Sequence, residues 1–263
     1  MKSKILSGMV LFIVSATAMA QQYFATPEQA TRTLVSAISE QNEPTLNNLL
    51  GDRWRDVLPP EGVDPGAVDR FLRDWKVRHQ TIINGDTAHL VVGENQWQLP
   101  LPVVKTASGW RFDIQEAAGE IQTREIGRNE LAAIEALHAY VDAQQSYFAM
   151  NHQYARKIVS SERKKDGLYW PTEPGDAPSP LGPAFSPGEP GTGYHGYHFR
   201  IMPDNNGFAM VAWPVSYGKT GVMSFVINQD DSVNQADLGN DSEHKARALT
   251  AYITDKTWQP VAP

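Results

Sequence analysis

The sequence predicts an α+β protein in two parts, and two changes in its hydrophobic pattern carry that prediction. Apolar residues recur at helical spacing from residue 30 to residue 75, alternate as in strands from residue 79, and return to helical spacing after residue 129. Short turns join the strand-like segments, which favours antiparallel sheets. We therefore expect residues 22–125 to form an N-terminal α+β domain and residues 126–263 to form a C-terminal one.

Helices open the N-terminal part. Thr26-Pro27 supplies the N-cap and first-turn residues of a helix that we expect to reach Asn42. Glu43-Pro44 starts a second, shorter helix that Gly51 ends, and a third helix follows the break at Pro59-Pro60. Three helices are therefore expected before the first strand.

Four strands complete the N-terminal part. Residues 81–83 and 88–92 predict a hairpin, because Asn84-Gly85-Asp86 between them tolerates positive φ. Residues 97–104 and 110–114 predict a second pair of strands. Helices on one face of a curved antiparallel sheet match the element order of NTF2-like or cystatin-like folds, and this analogy extends to the fold alone.

The third of these strands contains two prolines and begins with a tryptophan. Pro100 and Pro102 would both lack an N–H on the same side, so we expect this strand at an edge of the sheet. The concave face of such a sheet often forms a pocket, and the candidate lining residues are Trp75, Trp97 and Trp110. Ordinary burial in the core is the alternative, because Trp is usually well buried without a ligand.

A long helix and a meander are predicted for the C-terminal part. Apolar residues at steps of three and four predict one helix from an N-cap at Asn129 to about Tyr154. A proline-rich loop over residues 166–193 follows, in which no helix or central strand is expected. Four strand-like segments then alternate with turn signals, which predicts an antiparallel meander; they cover residues 197–202, 208–213, 222–228 and 232–238.

The N-terminus has the pattern of a secretory signal peptide. Lys2 and Lys4 precede an apolar run from Ile5 to Val14, and Ala18-Met19-Ala20 resembles a cleavage site. We expect cleavage after Ala20 and a periplasmic or secreted protein without a stable membrane anchor after cleavage. An uncleaved anchor is the alternative.

Composition excludes several classes of function. The chain of 263 residues has 23 Lys and Arg against 30 Asp and Glu, so its net charge of −7 does not favour nucleic acid. It has no Cys, which excludes disulfides, thiolate catalysis and cysteine-ligated metals. We expect no cofactor.

Two motif fragments that suggest chemistry are incomplete. Ser216 and Lys219 fit S-x-x-K, and Lys219-Thr220-Gly221 fits K-T-G, but the two overlap in one predicted turn instead of lying on separate elements. His195 and His198 form H-x-x-H, yet their odd spacing in a strand would put them on opposite faces, so no shared metal is expected. We predict no catalytic residues and no metal ligands.

The proline-rich loop and its aromatic neighbours are the strongest functional signal. Loops of this length without secondary structure are uncommon and are often functional. Proline lowers the entropy that the free loop would lose on binding. We expect a non-catalytic factor that binds another exported protein, and the candidate residues are Trp170, Tyr194, His195, Tyr197, His198, Trp213 and Tyr217. The alternatives are a loop that only covers the helix, and a small-molecule binder or hydrolase with a pocket in the N-terminal domain or the inter-domain cleft.

Several segments resemble a known family. Residues 165–171 (KDGLYWP), 179–183 (SPLGP), 196–201 (GYHFRI), 208–214 (FAMVAWP) and 221–227 (GVMSFVI) are similar to an exported bacterial family labelled domain of unknown function 2950. The resemblance runs through nearly all of the chain after residue 20. It implies a shared fold, and because that family has no assigned catalytic residues, it implies little chemistry.

The C-terminal part is more distantly similar to the globular part of type IV pilins and pseudopilins. The likeness lies in the order of long helix, loop and four-stranded antiparallel sheet. The predicted helix starts at the polar Asn129, without the apolar segment through which pilins polymerise. The resemblance therefore implies a related fold and not a filament subunit.

Overall fold

The structure is a computed structural model that describes residues 21–58, 63–172, 175, 178–182, 193–202, 207–252 and 255–261. The chain divides into two compact units, Met1–Ile121 and Gln122–Pro263. The expected signal peptide, the Pro59-Pro60 break and much of the proline-rich loop lie outside the described residues. The mixture of helices and antiparallel sheets confirms the predicted α+β class.

Three α-helices open the first unit, as predicted. They are α1 (Pro27–Ser39), α2 (Glu43–Leu50) and α3 (Pro65–Val77), with a short 3₁₀ turn at Trp54–Val57 after α2. Each helix has a proline in its first turn and a capping side chain immediately before it, because proline fits the helical φ and the cap satisfies a free backbone N–H. The caps are Thr26, Asn42 and Asp64.

An antiparallel sheet completes the first unit. Its strands are β1 (His79–Asn84), β2 (Thr87–Val92), β3 (Trp97–Gln98), β4 (Val103–Thr106) and β5 (Gly109–Phe112), in the order β1-β2-β4-β5 with β3 also paired to β2. The predicted hairpin is present, with Asn84 opposite Thr87 and Gly85 at a φ of 63°. Helices α1 and α2 pack on the sheet through a core that includes Leu34, Leu49 and Phe112.

The predicted single strand over residues 97–104 at a sheet edge is wrong. The segment divides into β3, which pairs with the end of β2 at Val91 and Val92, and β4, which pairs with the start of β2 and lies between β2 and β5. Pro100 and Pro102 fall between the two strands. Because proline cannot donate to a ladder, the prolines interrupt the pairing and leave β4 free to be an interior strand.

The long helix begins earlier than predicted. Helix α4 is Ile114–Asn151, of 38 residues, so the predicted start at Asn129 is wrong. The Asp113 carboxylate caps α4 by accepting from the N–H groups of Gln115 and Glu116, at 3.1 and 3.2 Å. Gly127 lies inside α4, and an interior glycine costs a helix only about 1 kcal/mol relative to alanine. Within the described part of the chain, no helix is both long and apolar enough to cross a membrane.

The second unit contains the predicted antiparallel meander and one further strand. The strands are β6 (Tyr197–Met202), β7 (Ala209–Pro214), β8 (Met223–Asn228), β9 (Asn234–Asp237) and β10 (Gln259–Pro260). Their order is β10-β9-β8-β7-β6, so the chain returns after a short helix, α5 (Ser242–Ala248), to pair β10 with β9.

Both faces of this second sheet are covered. On one face, side chains of α4 such as Leu137 and Tyr140 pack with Met210, Phe225 and Ile227. On the other face, Ala246 of α5 and Trp258 pack on alternate strand residues, among them Met202, Val211, Trp213 and Val226. The fully buried pattern of β7 follows from this two-sided burial.

Candidate interaction site

Two tight turns of the second unit pack against each other and carry four of the seven residues that the sequence predicted for partner binding. The first turn covers residues 193–197 and leads into β6; the second covers residues 216–221 and precedes β8. We call them the paired turns. Of the predicted partner-binding residues, Tyr194, His195, Tyr197 and Tyr217 lie in them.

The first turn reverses the chain at His195 and Gly196. The Tyr194 N–H donates to the Tyr197 oxygen at 2.8 Å, and the Tyr197 N–H donates to the Tyr194 oxygen at 3.0 Å. His195 and Gly196 have φ values of 46° and 71°, and two positive φ values are what a type I′ turn requires. The exposed His195 ring lies 4.4 Å from the Tyr194 ring, edge to face at 85°.

The second turn is closed by its own side chains and backbone. The Gly218 N–H donates to the Gly221 oxygen at 2.8 Å. The Thr220 hydroxyl accepts from the Ser216 N–H at 3.0 Å and donates to the Ser216 oxygen at 3.3 Å. Lys219, between Gly218 and Thr220 in the sequence, is exposed. The S-x-x-K and K-T-G residues therefore form one compact turn, and the threonine hydroxyl is used to hold it.

Glycines allow the two turns to approach. A Cβ at Gly196 would lie 2.7 Å from the Thr220 Cβ, and a Cβ at Gly193 would lie 2.5 Å from the Tyr197 oxygen. Real Cβ atoms do not approach that closely, so both positions require glycine. The Val215 N–H also donates to the Gly196 oxygen at 2.8 Å, which joins the end of β7 to the first turn.

Three polar side chains of α4 anchor the second turn. The Gln122 amide donates to the Gly218 oxygen at 2.7 Å, and the Asn129 amide donates to the Thr220 oxygen at 3.0 Å. The Glu130 carboxylate accepts from the N–H groups of Val222 and Met223 at 2.9 and 3.0 Å. The turn is therefore held by hydrogen bonds to a rigid helix.

Tyr197 is an anchor and not an exposed contact residue. It is fully buried, and its hydroxyl donates to the Met223 oxygen at 2.8 Å. Burial, together with the nearby Glu130 carboxylate, raises the pKa of Tyr197 far above its usual value, so the side chain stays a neutral donor.

Tyr217 is held at the end of β9. Its hydroxyl donates to the Asp237 carboxylate at 3.2 Å, and this hydrogen bond raises the pKa of Tyr217. The ring is half-buried. Tyr217 is therefore fixed two residues before the exposed Lys219.

The remaining predicted contact residues lie elsewhere in the second unit. His198 and Trp213 are cross-strand neighbours with rings 5.5 Å apart, on the sheet face that α5 covers. Trp170 is buried in the core on the α4 face, with the Lys165 ammonium 5.5 Å from its ring centroid. The central part of the proline-rich loop that should join these residues lies outside the described residues.

The candidate pocket tryptophans belong to different parts of the first unit. Trp75 of α3 stacks on His79 at 3.7 Å, and Trp97 contacts Phe71 of α3 edge to face at 6.2 Å. Trp110 instead lies in the core under α1 and α2 and is 8% exposed. Trp75 is thus part of α3 and Trp97 lies beside it, whereas Trp110 is separate from both.

A serine, a lysine and an aspartate form a cluster that the sequence analysis missed. The Lys157 ammonium donates to the Ser161 hydroxyl at 2.6 Å and to the Asp166 carboxylate at 2.8 Å. The hydrogen bonds from Lys157 and from the Ser161 N–H hold the pKa of Asp166 well below its usual value. The Ser161 hydroxyl also donates to the Asp166 carboxylate at 3.0 Å, so the three side chains are engaged with one another. This Lys157–Ser161–Asp166 cluster therefore fastens the loop after α4.

No local signal marks that cluster, because its members are separated by four and five positions in an irregular segment. Three backbone hydrogen bonds close the segment: Leu168 N–H to the Lys157 oxygen at 3.1 Å, Tyr169 N–H to the Ile158 oxygen at 2.8 Å and Ser160 N–H to the Tyr169 oxygen at 2.8 Å. Over the described ranges, no three His, Asp or Glu side chains are grouped so that they could hold a metal ion.

Comparison with known proteins assigns the chain to a family. The family described as "Protein of unknown function (DUF2950)" matches residues 21–206 and 204–261. No curated protein and no solved structure matches the chain, so the likeness to pilins stays a prediction. Because the match covers nearly the whole chain, the protein belongs to the DUF2950 family of proteins of unknown function.

Proposed function

We propose that this protein is an exported envelope protein that acts without catalysis, by binding another exported protein through the paired turns. The observation that carries the proposal is the locked geometry of the first turn. His195 is exposed at its tip, with a φ of 46°, between two glycines that packing requires.

The rigidity of the paired turns favours recognition. A surface that is already ordered loses little conformational entropy on binding, so more of its contact energy appears as affinity. The conformation at His195 is itself unfavourable by about 1 kcal/mol for a residue with a side chain, and the surrounding contacts maintain it. Strained exposed positions of this kind are common at functional sites.

The chemistry of the exposed residues suits a polar partner surface. His195 and Lys219 offer hydrogen-bond donors, while Tyr194 and Tyr217 offer ring surface with a polar end. Tyrosine is enriched at the energetic centres of interfaces, since it contributes large area at low entropy cost. We therefore expect a partner segment with acidic or carbonyl acceptors.

The side chains that most resemble catalytic groups support binding over catalysis. The Ser161 hydroxyl donates to the Asp166 carboxylate, and the Thr220 hydroxyl is engaged within its turn. Export is supported by the signal-peptide pattern before Gln21. The mass of the protein recovered from the periplasm or the medium tests cleavage after Ala20.

Site-specific photo-crosslinking in intact cells tests the proposed interaction. A photoreactive amino acid at Lys219 should give a discrete adduct with an exported protein, which mass spectrometry identifies. His195→Ala in the same protein should remove most of that adduct. His244→Ala provides the matched control, because His244 is also exposed but lies on α5. An adduct that both substitutions leave unchanged would contradict the proposal.

A further inference from the structure

The sheet face under α5 collects polar side chains in an otherwise apolar layer. His198 and Arg200 of β6 lie on it, with Trp213 of β7 opposite His198. Continuing the β7–β8 register places Ser224 beside Trp213. We call these residues, His198, Arg200, Trp213 and Ser224, the donor face.

Hydrogen-bond donors on this face lack partners. Among the described residues, four buried side-chain polar atoms have no hydrogen-bond partner, and three belong to the donor face: Arg200 Nε, Trp213 Nε1 and Ser224 Oγ. Trp213 is 2% exposed and Ser224 is fully buried. Buried donors without partners are costly and uncommon, so three on neighbouring strands need an explanation.

The donor face is also positively charged. Arg200 uses its Nη2 to donate to the oxygens of Ala246 and Leu249, both at 2.8 Å. The Arg247 guanidinium of α5 lies 5.4 Å from the Trp213 ring centroid. Glu243 is paired with Arg247 at 2.9 Å, so a carboxylate offsets part of this positive charge.

We propose that the donor face binds an oxyanion, the carboxylate or phosphate group of a ligand, between α5 and the sheet. The Nε–H of arginine and the indole N–H can only donate, so a metal ion or another donor cannot satisfy them, whereas anionic oxygens accept from all three groups. The two arginines supply the charge that such a group needs.

The state of His198 agrees with this arrangement. Burial is the main cause of a lowered pKa at His198; the Glu243 carboxylate opposes the shift and the Arg247 guanidinium adds to it. At neutral pH its imidazole is therefore neutral and can donate one further hydrogen bond to an anion. The net charge of the site then comes from Arg200, Arg247 and Glu243.

Titration of the Trp213 indole signal tests this site in the intact protein. In proton–nitrogen NMR spectra, Trp213→Phe identifies the Nε1–H signal among the 7 tryptophans. Added inorganic phosphate and acetate, at matched ionic strength, should each shift this signal downfield in a saturable way if oxyanions bind. Tighter binding of phosphate indicates a phosphorylated ligand, and tighter binding of acetate indicates a carboxylate ligand.

Substitutions distinguish a specific anion-binding site from general electrostatic attraction of anions to the protein. Ser224→Ala and Arg247→Ala should each weaken anion binding by about tenfold, the size expected for one charged hydrogen bond or partner. Ser224→Ala should not lower the melting temperature without anion, because alanine removes a donor that has no partner. Arg156→Ala is the control, since it removes an exposed charge outside the site. The proposal would be overturned if the shift of the indole signal does not saturate. Equal weakening of anion binding by Ser224→Ala, Arg247→Ala and Arg156→Ala would overturn it as well.

Discussion

Gly221 lies directly against the side chain of Tyr197. A Cβ at position 221 would overlap the Tyr197 hydroxyl oxygen and the adjoining ring carbons. The same hydroxyl donates to the Met223 oxygen at 2.8 Å, so the glycine and the tyrosine together fix the start of β8 relative to β6. The second of the paired turns consequently has one conformation that packing allows.

Replacement of Gly221 by alanine should destabilise the second unit. We expect Gly221→Ala to lower the free energy of unfolding by about 1–3 kcal/mol, the usual cost of an added methyl group in a packed site. Denaturant unfolding measures this change. Gly182→Ala is the control, because a Cβ there meets nothing within 4 Å. Equal stability of the two variants would show that the contact at Gly221 is not tight.

Loss of the Tyr197 hydroxyl should have a similar effect. Tyr197→Phe leaves the Met223 oxygen without the donor from the buried Tyr197 side chain, and we expect a loss of about 1–3 kcal/mol in the free energy of unfolding. Tyr217→Phe, whose hydroxyl meets an exposed carboxylate, should cost less. A larger loss for Tyr217→Phe than for Tyr197→Phe would contradict this ranking.

The raised pKa of Tyr197 also predicts a dependence on alkaline pH. The neutral form is favoured in the folded protein, so its contribution to stability is complete below the unfolded pKa of about 10 and falls as the pH rises above it. In Tyr197→Phe this part of the decrease in stability at alkaline pH should disappear. Unfolding curves collected at a series of pH values from neutral upward measure the difference, and identical slopes for both proteins would argue against it.

Gly127 provides a test of the continuous helix α4. It lies inside the helix, and a Cβ there meets nothing within 4 Å. Gly127→Ala should therefore stabilise the protein by about 0.5–1 kcal/mol, because alanine loses less backbone entropy in a helix. If the helix began at Asn129, residue 127 would be outside it and the substitution would bring no such gain. Melting temperatures of Gly127→Ala and the wild type, measured by thermal unfolding, distinguish these two outcomes.

Local signals predicted much of the fold. The prolines and caps at Thr26-Pro27 and Glu43-Pro44 located the first helices, and the Asn84-Gly85 turn located the first hairpin. These features depend on residues close in sequence. The start of α4 was predicted wrongly because Asn129 has the character of an N-cap, whereas Asp113 caps the helix and the helix continues through Asn129.

Short elements that depend on distant contacts could not be predicted. Helix α5 has 7 residues and β10 has 2; α5 depends on packing over the sheet, and β10 depends on pairing with β9. The candidate site likewise depends on contacts between residues that are distant in sequence. Sequence reasoning selected Tyr194, His195 and Tyr217 for their residue types, but the packing of Gly196 on Thr220 is not visible in a local pattern.

The Lys157–Ser161–Asp166 cluster should make stability depend on acidic pH. The pKa of Asp166 is depressed in the folded protein, so its contribution is present above the unfolded pKa of about 3.9 and is lost as the pH falls towards the lower folded value. Asp166→Asn should therefore lower the melting temperature at neutral pH, and its difference from the wild type should shrink as the pH falls below 4. Glu162→Gln, at a fully solvated position nearby, should show neither effect. A difference between Asp166→Asn and the wild type that stays constant from neutral to acidic pH would mean that the ionised carboxylate does not fasten this loop.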